Sequence, residues 1–115
     1  MLDVTNLADE IDAMGKSQRR ELQSRLLQLL LHMLKVRHQP ERDGSSWRGS
    51  IAVQRAEIRK LPVQNPSLRR CLPDDLGDAY ADARDAAAAE TGLAIGTFPA
   101  ACPWPIDEVL PARRE

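Results

Sequence analysis

The sequence predicts an all-α fold, and three observations support this class. Only four of the 115 residues are aromatic, whereas strands of sandwiches and barrels are rich in aromatic and β-branched side chains. Leucine and other aliphatic residues recur at spacings of three and four, as they do on one face of a helix. The length suits a single core. We therefore predict one helical domain over residues 1–115, a bundle of four to five helices with an extended, proline-rich C-terminal clamp.

The first two predicted helices cover residues 3–14 and 17–37. Apolar side chains recur at helical spacing through the first of them, at Val4, Leu7, Ile11 and Met14. Gly15 either ends this helix or lets it bend into the next, for which Ser17 is a suitable N-cap. The apolar arc of the second helix covers more than half of its circumference. Such an arc indicates the central helix of a bundle.

The third predicted helix follows a turn-rich connection at residues 39–44. Ser45 or Ser46 caps its start, and Pro62 limits its end because the residue before a proline disfavours helical geometry. Its apolar seam includes Trp47. We therefore expect this helix to pack through that seam.

The next helical stretch begins at Asn65 and Pro66, an N-cap followed by a first-turn proline. Pro73 either kinks this helix or opens a new one, and the last long helix reaches Thr91. Gly92 then ends it, in a Schellman cap with the following leucine. Residues 94–115 form the predicted clamp, which is non-helical except for a short terminal helix.

The net charge of −1 conceals three blocks of opposite sign. Residues 1–15 contain four acids and no base, residues 16–71 contain thirteen Lys or Arg and four acids, and residues 72–115 contain nine acids and three Arg. One interpretation is that acidic helices lie beside basic ones within the bundle. The alternative is a basic surface that binds an anionic partner.

Three Arg of the third predicted helix, Arg48, Arg55 and Arg59, fall on one stripe beside Trp47. Guanidinium groups suit phosphates and carboxylates, so this stripe is the candidate binding site, with Trp47 at its edge. The competing interpretation is pairing with acids of the same bundle, such as Asp9, Glu10 and Asp12.

Two further sets of polar residues are candidates. His32 belongs to the one polar stripe of the leucine-rich helix, where it could act as a general acid or base, although a solvated edge explains that stripe equally well. Gln54, Tyr80 and Arg84 are predicted to form a buried network in which the Tyr80 hydroxyl bonds Gln54.

No other chemistry is recognisable in the sequence. Cys71 and Cys102 fit no metal-ligand spacing and are predicted to be reduced. No catalytic motif or phosphate loop occurs, and we expect no metal and no cofactor. The chain has neither eighteen consecutive apolar residues nor a secretory leader, so a cytoplasmic location without membrane contact is expected.

Several short motifs resemble a known family in their order and spacing: Leu29-Leu30-Leu31-His32-Met33-Leu34-Lys35, Gln39-Pro40, Ser46-Trp47-Arg48, Ile51 with Gln54-Arg55, Pro66-Ser67-Leu68, Ala79-Tyr80-Ala81-Asp82-Ala83-Arg84, Glu90-Thr91-Gly92-Leu93 and Phe98-Pro99 with Cys102-Pro103. The family is bacterial and is catalogued as domain of unknown function number 29. The resemblance implies a small helical bundle from a bacterial cytoplasm, with no established activity or cofactor. Family members usually carry an aromatic-rich helical segment ahead of the region of Leu7. Either the true start lies upstream, or another subunit covers the gap.

These observations lead to one preferred function and two alternatives. We expect a non-enzymatic interaction module that binds another protein, or itself, through the Arg stripe and the apolar surface left by the short N-terminus. The first alternative is a nucleic-acid-binding protein that uses Arg48, Arg55 and Arg59. The second is an enzyme in which His32 is the acid or base.

Overall fold

The computed structural model describes the backbone of residues 4–61 and 66–111 and the side chains of residues 17–61 and 70–111. This part of the chain contains no strand, which confirms the all-α prediction. None of its helices is both long enough and apolar enough to cross a membrane. Its elements, in chain order, are α1 (Val4–His38), α2 (Ser45–Lys60), α3 (Pro66–Thr91), a 3-10 turn (Ile95–Thr97) and α4 (Ile106–Val109).

The first helix, α1, is a single helix of 35 residues and not the two helices that the sequence suggested. The helix continues through Gly15. Ser17 lies inside it and does not cap a second helix. Glycine inside a helix costs only about 1 kcal/mol relative to alanine, less than burial of a single leucine contributes. Five leucines of α1 are completely buried and outweigh that cost: Leu22, Leu26, Leu29, Leu30 and Leu34.

Both other long helices pack on α1, as its wide apolar arc predicts. α2 runs antiparallel to it, because Arg25 reaches Gln54 near the middle of α1 and Val36 lies beside Gly44 near its end. α3 runs parallel to α1. Arg19 pairs with Asp75 in the first half of α3, and further along α1 the Lys35 Nζ donates to Glu90 near the end of α3. In the described residues α2 and α3 make few contacts with each other, so α1 is the element they share.

The third helix, α3, continues through Pro73, which neither ends it nor opens a new helix. The ring removes one helical hydrogen bond, and the packing of the next turns on α1, where Asp75 and Leu76 are buried, holds the helix together. The end of α3 differs from the predicted Schellman cap. Gly92, at φ 75°, donates its N–H to the Ala88 carbonyl at 3.0 Å, which is the simpler αL cap. The Leu93 N–H is occupied by the Thr91 hydroxyl at 3.2 Å instead.

The segment that follows α3, residues 94–111, crosses from α3 to α2 and connects these two helices. On the α3 side, the Tyr80 hydroxyl donates to the Pro99 carbonyl at 2.6 Å, and Arg84 Nε donates to the Phe98 carbonyl at 3.2 Å. Phe98 and Val109 are both buried in the core. We call residues 94–111 the tail.

A buried carboxylate joins α1 to α3. Asp75 is completely buried and accepts two hydrogen bonds from Arg19 Nε, at 3.0 Å to each oxygen, and one from Arg19 Nη2 at 2.8 Å. Gln23 Nε2 donates to the same carboxylate at 2.8 Å. The hydrogen bonds that Arg19 donates to Asp75, together with the carboxylate charge, raise the pKa of Arg19 above its already high ordinary value. Three N–H groups therefore replace the water that Asp75 loses on burial, and the Arg19 Nε–H is shared between both of its oxygens.

The two partners of this ion pair should differ in the cost of their removal. Arg19→Met leaves the buried carboxylate with Gln23 alone, and we expect a loss of about 3 kcal/mol in the free energy of unfolding. In Asp75→Asn the released guanidinium can turn to water, because the Arg19 side chain is 40% exposed, so a loss of about 1–2 kcal/mol is expected. Urea unfolding of both variants measures the difference. Equal losses of unfolding free energy in the two variants would show that burying the Asp75 carboxylate without Arg19 is not the main cause of the destabilisation.

The His38 ring makes stability depend on pH. Its edge contacts Phe98 at 4.9 Å between centroids, and its Nε2 is buried without a hydrogen-bond partner among the described residues. Burial, reinforced by the charge of Arg37, lowers the pKa of His38 below 6.5. Below that pH the unfolded chain takes up the proton before the folded one does, so stability should fall as the pH drops from about 7 to 5.

The variant His38→Phe tests this pH dependence. It should flatten the pH profile of unfolding and leave stability at neutral pH unchanged or higher, because an unpartnered buried nitrogen is removed. Urea unfolding at a series of pH values gives the profile. A slope as steep as that of the wild type would assign the effect to another group.

Candidate functional site

An apolar groove with a cationic rim lies between α1, α2 and the tail. It encloses about 540 Å³, a volume typical of ligand sites. Its apolar lining consists of Met33, Val36, Ile51, Ala52 and Trp104, and its rim consists of Arg37, Arg48 and Arg55. Among the described side chains, none that lines it is acidic. We call this site the basic groove.

Helical spacing places the α2 residues of the groove on one face. Arg48, Ala52 and Arg55 are separated by four and three residues, so they follow one another along that face. Arg48 and Arg55 are two turns apart, about 10.5 Å along the helix axis. Apolar surface from Ile51 and Ala52 lies between the two charges.

The last turns of α1 and the tail supply the opposite wall. Met33 and Arg37 are four residues apart on α1, and the Arg37 guanidinium lies 5.7 Å from the centre of the Trp104 ring. A cation over an indole face is attracted by the ring electrons, so Arg37 holds Trp104 against the groove. Neither of these two residues was singled out from the sequence, because the tail had first to be placed over the end of α1.

The three guanidinium groups differ in how they are held. Arg55 is half-buried and donates from Nε to the Val109 carbonyl and from Nη2 to the Glu108 carbonyl, each at 3.0 Å. Burial lowers the pKa of Arg55, and Arg59 adds to the effect, but an arginine stays charged at neutral pH. Arg48 is exposed at the rim. The Asp43 carboxylate, which lies near Arg48, accepts a hydrogen bond from the Ser45 N–H at 3.0 Å. This hydrogen bond lowers the pKa of Asp43.

The structure divides the predicted Arg stripe. Arg55 and Arg59 hold the C-terminal part of the tail, with Arg59 Nη2 donating to the Pro111 carbonyl at 3.5 Å. Arg48 lies at the groove rim and does not bond the described residues of the tail, whereas Arg55 also belongs to the rim. Trp47 is not a groove wall and lies 5.9 Å below the Lys35 ammonium group. The stripe residues therefore serve two purposes, anchoring the tail and lining the groove.

The expected pairing of the Arg stripe with Asp9, Glu10 and Asp12 stays a prediction, because these three acidic side chains lie outside the described side chains. Because α1 is continuous, Asp12 lies 24 residues, or about 36 Å, from the part of α1 where Val36 lines the groove. A continuous α1 therefore holds these acids far from the end of the groove at Val36 and Arg37.

The predicted hydrogen bond between Tyr80 and Gln54 is also wrong. Tyr80 and Arg84 both donate to carbonyls of the tail, whereas Gln54 Oε1 accepts from Arg25 Nη1 at 3.2 Å. The reason is that α1 and the tail separate α2 from α3, so the two side chains never face each other. Burial raises the pKa of Tyr80, so its hydroxyl remains a donor.

The candidate His32 lies on the polar side of α1. Its Nδ1 and the Gln28 carbonyl of the preceding turn are 2.6 Å apart. The neighbouring polar residues form ion pairs between helices, Arg25 with Glu57 of α2 and Lys35 with Glu90 of α3. Within the described side chains, no three His, Cys, Asp or Glu lie close enough to hold a metal ion. His32 therefore has no assembled partner for acid–base chemistry among these residues.

The buried Asp75 was missed as well, although the sequence carried a signal for it. Asp75 stands four, eight and twelve residues before Ala79, Ala83 and Ala87, all of which are buried on α3. An acid on the buried row of a helix requires a cation opposite it. Arg19, on a helix whose register was not yet known, provides that cation.

The fold and this site define a small all-helical protein with a basic apolar groove and no recognisable catalytic centre in the described residues. The family model described as "Domain of unknown function DUF29" matches residues 1–113. The chain belongs to this family, as the resemblance predicted. No curated protein and no solved structure matches the chain.

The roles of Arg55 and Arg48 should separate in stability measurements. Arg55→Met removes both hydrogen bonds to the tail carbonyls, and we expect a loss of about 1–2 kcal/mol in the free energy of unfolding. The matched variant Arg48→Met should change that free energy by about 0.5 kcal/mol or less, because Arg48 is exposed at the rim. Urea denaturation measures both. A cost for Arg48→Met as large as that for Arg55→Met would contradict the assignment.

Proposed function

We propose that this protein is a non-enzymatic interaction module that binds a segment of a protein partner in the basic groove. The observation that carries the proposal is the combination of an apolar floor with three guanidinium groups, and with no acid among the described lining residues. Isolated surface arginines are common, but arginines that surround exposed apolar area form a site that can both desolvate and orient a ligand. The groove would therefore select carboxylate groups beside apolar side chains.

Each part of the groove has a defined role in this proposal. The exposed Ala52 and the half-buried Trp104 would receive the apolar side chains of the partner, since burial of such surface provides most of the affinity. Arg37 and Arg48 would bind carboxylates, adding specificity and rate of association. Arg55, already fixed by the tail carbonyls, would contribute a preorganised charge.

Binding of nucleic acid is the less favoured function. Arg55 and Arg59 donate to main-chain carbonyls, so phosphates would have to compete with those bonds. Most of the groove lining is apolar, which suits protein side chains better than a phosphate backbone. We also propose the cytoplasmic setting that the sequence predicts, in which the free thiols of Cys71 and Cys102 would remain reduced.

Affinity capture with matched variants tests the proposed function. Ala52→Glu places a carboxylate in the groove, whereas Val53→Glu places the same charge on the exposed neighbouring residue of α2, which does not line it. A protein retained by the wild type and by Val53→Glu, but lost with Ala52→Glu, supports the groove as the binding site. Equal retention by all three variants would contradict it.

A mobility assay at low salt separates the two functions. Phosphate contacts are strongest under that condition, so a nucleic-acid-binding protein would shift RNA or duplex DNA there. We expect unchanged mobility. A shift that Arg48→Met and Arg59→Met abolish would replace the proposed function with the nucleic-acid alternative.

A further inference from the structure

The chain contains an acidic segment whose chemistry matches the basic groove. Residues 1–15 carry Asp3, Asp9, Glu10 and Asp12 and no Lys or Arg, and their apolar residues recur at helical spacing. The groove has the opposite character, three cations around an apolar floor. The segment thus offers both properties that the proposed function requires of a partner, negative charge and an apolar stripe.

The geometry of α1 prevents this segment from reaching the groove of its own chain. The segment leads into α1 at one end, while Met33, Val36 and Arg37 line the groove near the other end. From Val4 to Met33 an unbroken helix extends about 43 Å. The charges of the two regions therefore cannot neutralise each other within one molecule.

The spacing of the charges is also matched. Arg48 and Arg55 are seven residues apart with Ile51 and Ala52 between them. Asp3 and Glu10 are likewise seven residues apart, with Leu7 between them. In the helix that the apolar spacing predicts over residues 3–14, this separation is about 10.5 Å, so two carboxylates would face two guanidinium groups while apolar side chains meet between them.

We infer that the groove of one molecule binds residues 1–15 of a second copy of this chain. This inference rests on the proposed function and identifies its partner. The acidic face of α3 is a poorer occupant, because Asp78, Asp82 and Asp85 are exposed there without an apolar stripe between them. When two copies exchange the segment, each groove is filled and the contact closes into a dimer.

Sedimentation velocity and light scattering of the full chain over a concentration series test the inference. The wild type should self-associate at low salt, and its dimer dissociation constant should rise about tenfold in about 1 M salt, where the Debye length falls to about 3 Å. The variant Asp9→Asn/Glu10→Gln/Asp12→Asn should raise the dimer dissociation constant about tenfold or more. The matched control Asp78→Asn/Asp82→Asn/Asp85→Asn removes the same charge from α3 and should leave it unchanged.

Charge reversal provides the specific readout. Arg37→Glu/Arg48→Glu and Asp9→Lys/Glu10→Lys should each be monomeric alone and should associate when they are mixed. Circular dichroism confirms that each variant is folded, which is expected because Arg37 and Arg48 are exposed. A wild type that stays monomeric at low salt, a mixture that does not associate, or an equal effect of the α3 control would overturn the inference.

The outcomes also distinguish this inference from the proposed function. A monomeric chain whose groove still retains another protein, with loss of binding in Ala52→Glu, overturns the second copy as partner and leaves the function standing. A chain that neither self-associates nor retains a groove-dependent partner overturns both.

Discussion

The continuity of α1 is the constraint on which the rest of the structure depends. Both other long helices pack on α1, α2 antiparallel and α3 parallel, and they make few contacts with each other among the described residues. An unbroken helix of 35 residues also fixes the distance between the acidic segment at its start and the arginines near its end. The acids of that segment are thereby held far from Arg37 of the same molecule. The near-zero net charge is the sum of oppositely charged blocks, of which the basic block and the C-terminal acidic block pair through Arg19 with Asp75 and through Lys35 with Glu90.

The tail is the second determinant, because it turns two flanking helices into a site. Tyr80 and Arg84 fix its first half to α3 through main-chain carbonyls, and Arg55 fixes its end to α2. Between these anchors Trp104 covers the gap beside Arg37 and becomes a groove wall. The groove therefore depends on residues from three separate parts of the chain. Its cations are in part structural, which is why losing Arg55 should affect stability and losing Arg48 should not.

Local patterns in the sequence were sufficient for the fold class and the central helix. The leucine spacing of α1 predicts directly which face is buried. The prolines and glycines around residues 92–105 exclude a long helix there. Continuity through Gly15 and Pro73 was not predictable in this way. A glycine or proline has a fixed local cost, and whether a helix continues past it depends on packing contributed by other parts of the chain.

The candidate site was predictable only in part, for a related reason. The Arg stripe of α2 was visible in its spacing, but the fate of each member depended on where the tail ends. Trp104 and Arg37 belong to the site through a contact between residues 67 positions apart. The assignment of Tyr80 to Gln54 failed because it assumed that α2 and α3 face each other. Such relations between elements are set by topology, and a single helical wheel cannot contain them.

One distance tests the central claim most directly. Spin labels at Ala8→Cys and Arg37→Cys, with Cys71 and Cys102 replaced by serine, report the separation of the acidic segment from the groove by double electron–electron resonance. Dilution of the labelled chain with unlabelled protein restricts the signal to distances within one molecule. A continuous α1 predicts a narrow distribution of distances centred at about 44 Å. A distribution centred at half that distance or less would show that the chain turns back near Gly15, so that the acids could reach the arginines of their own molecule.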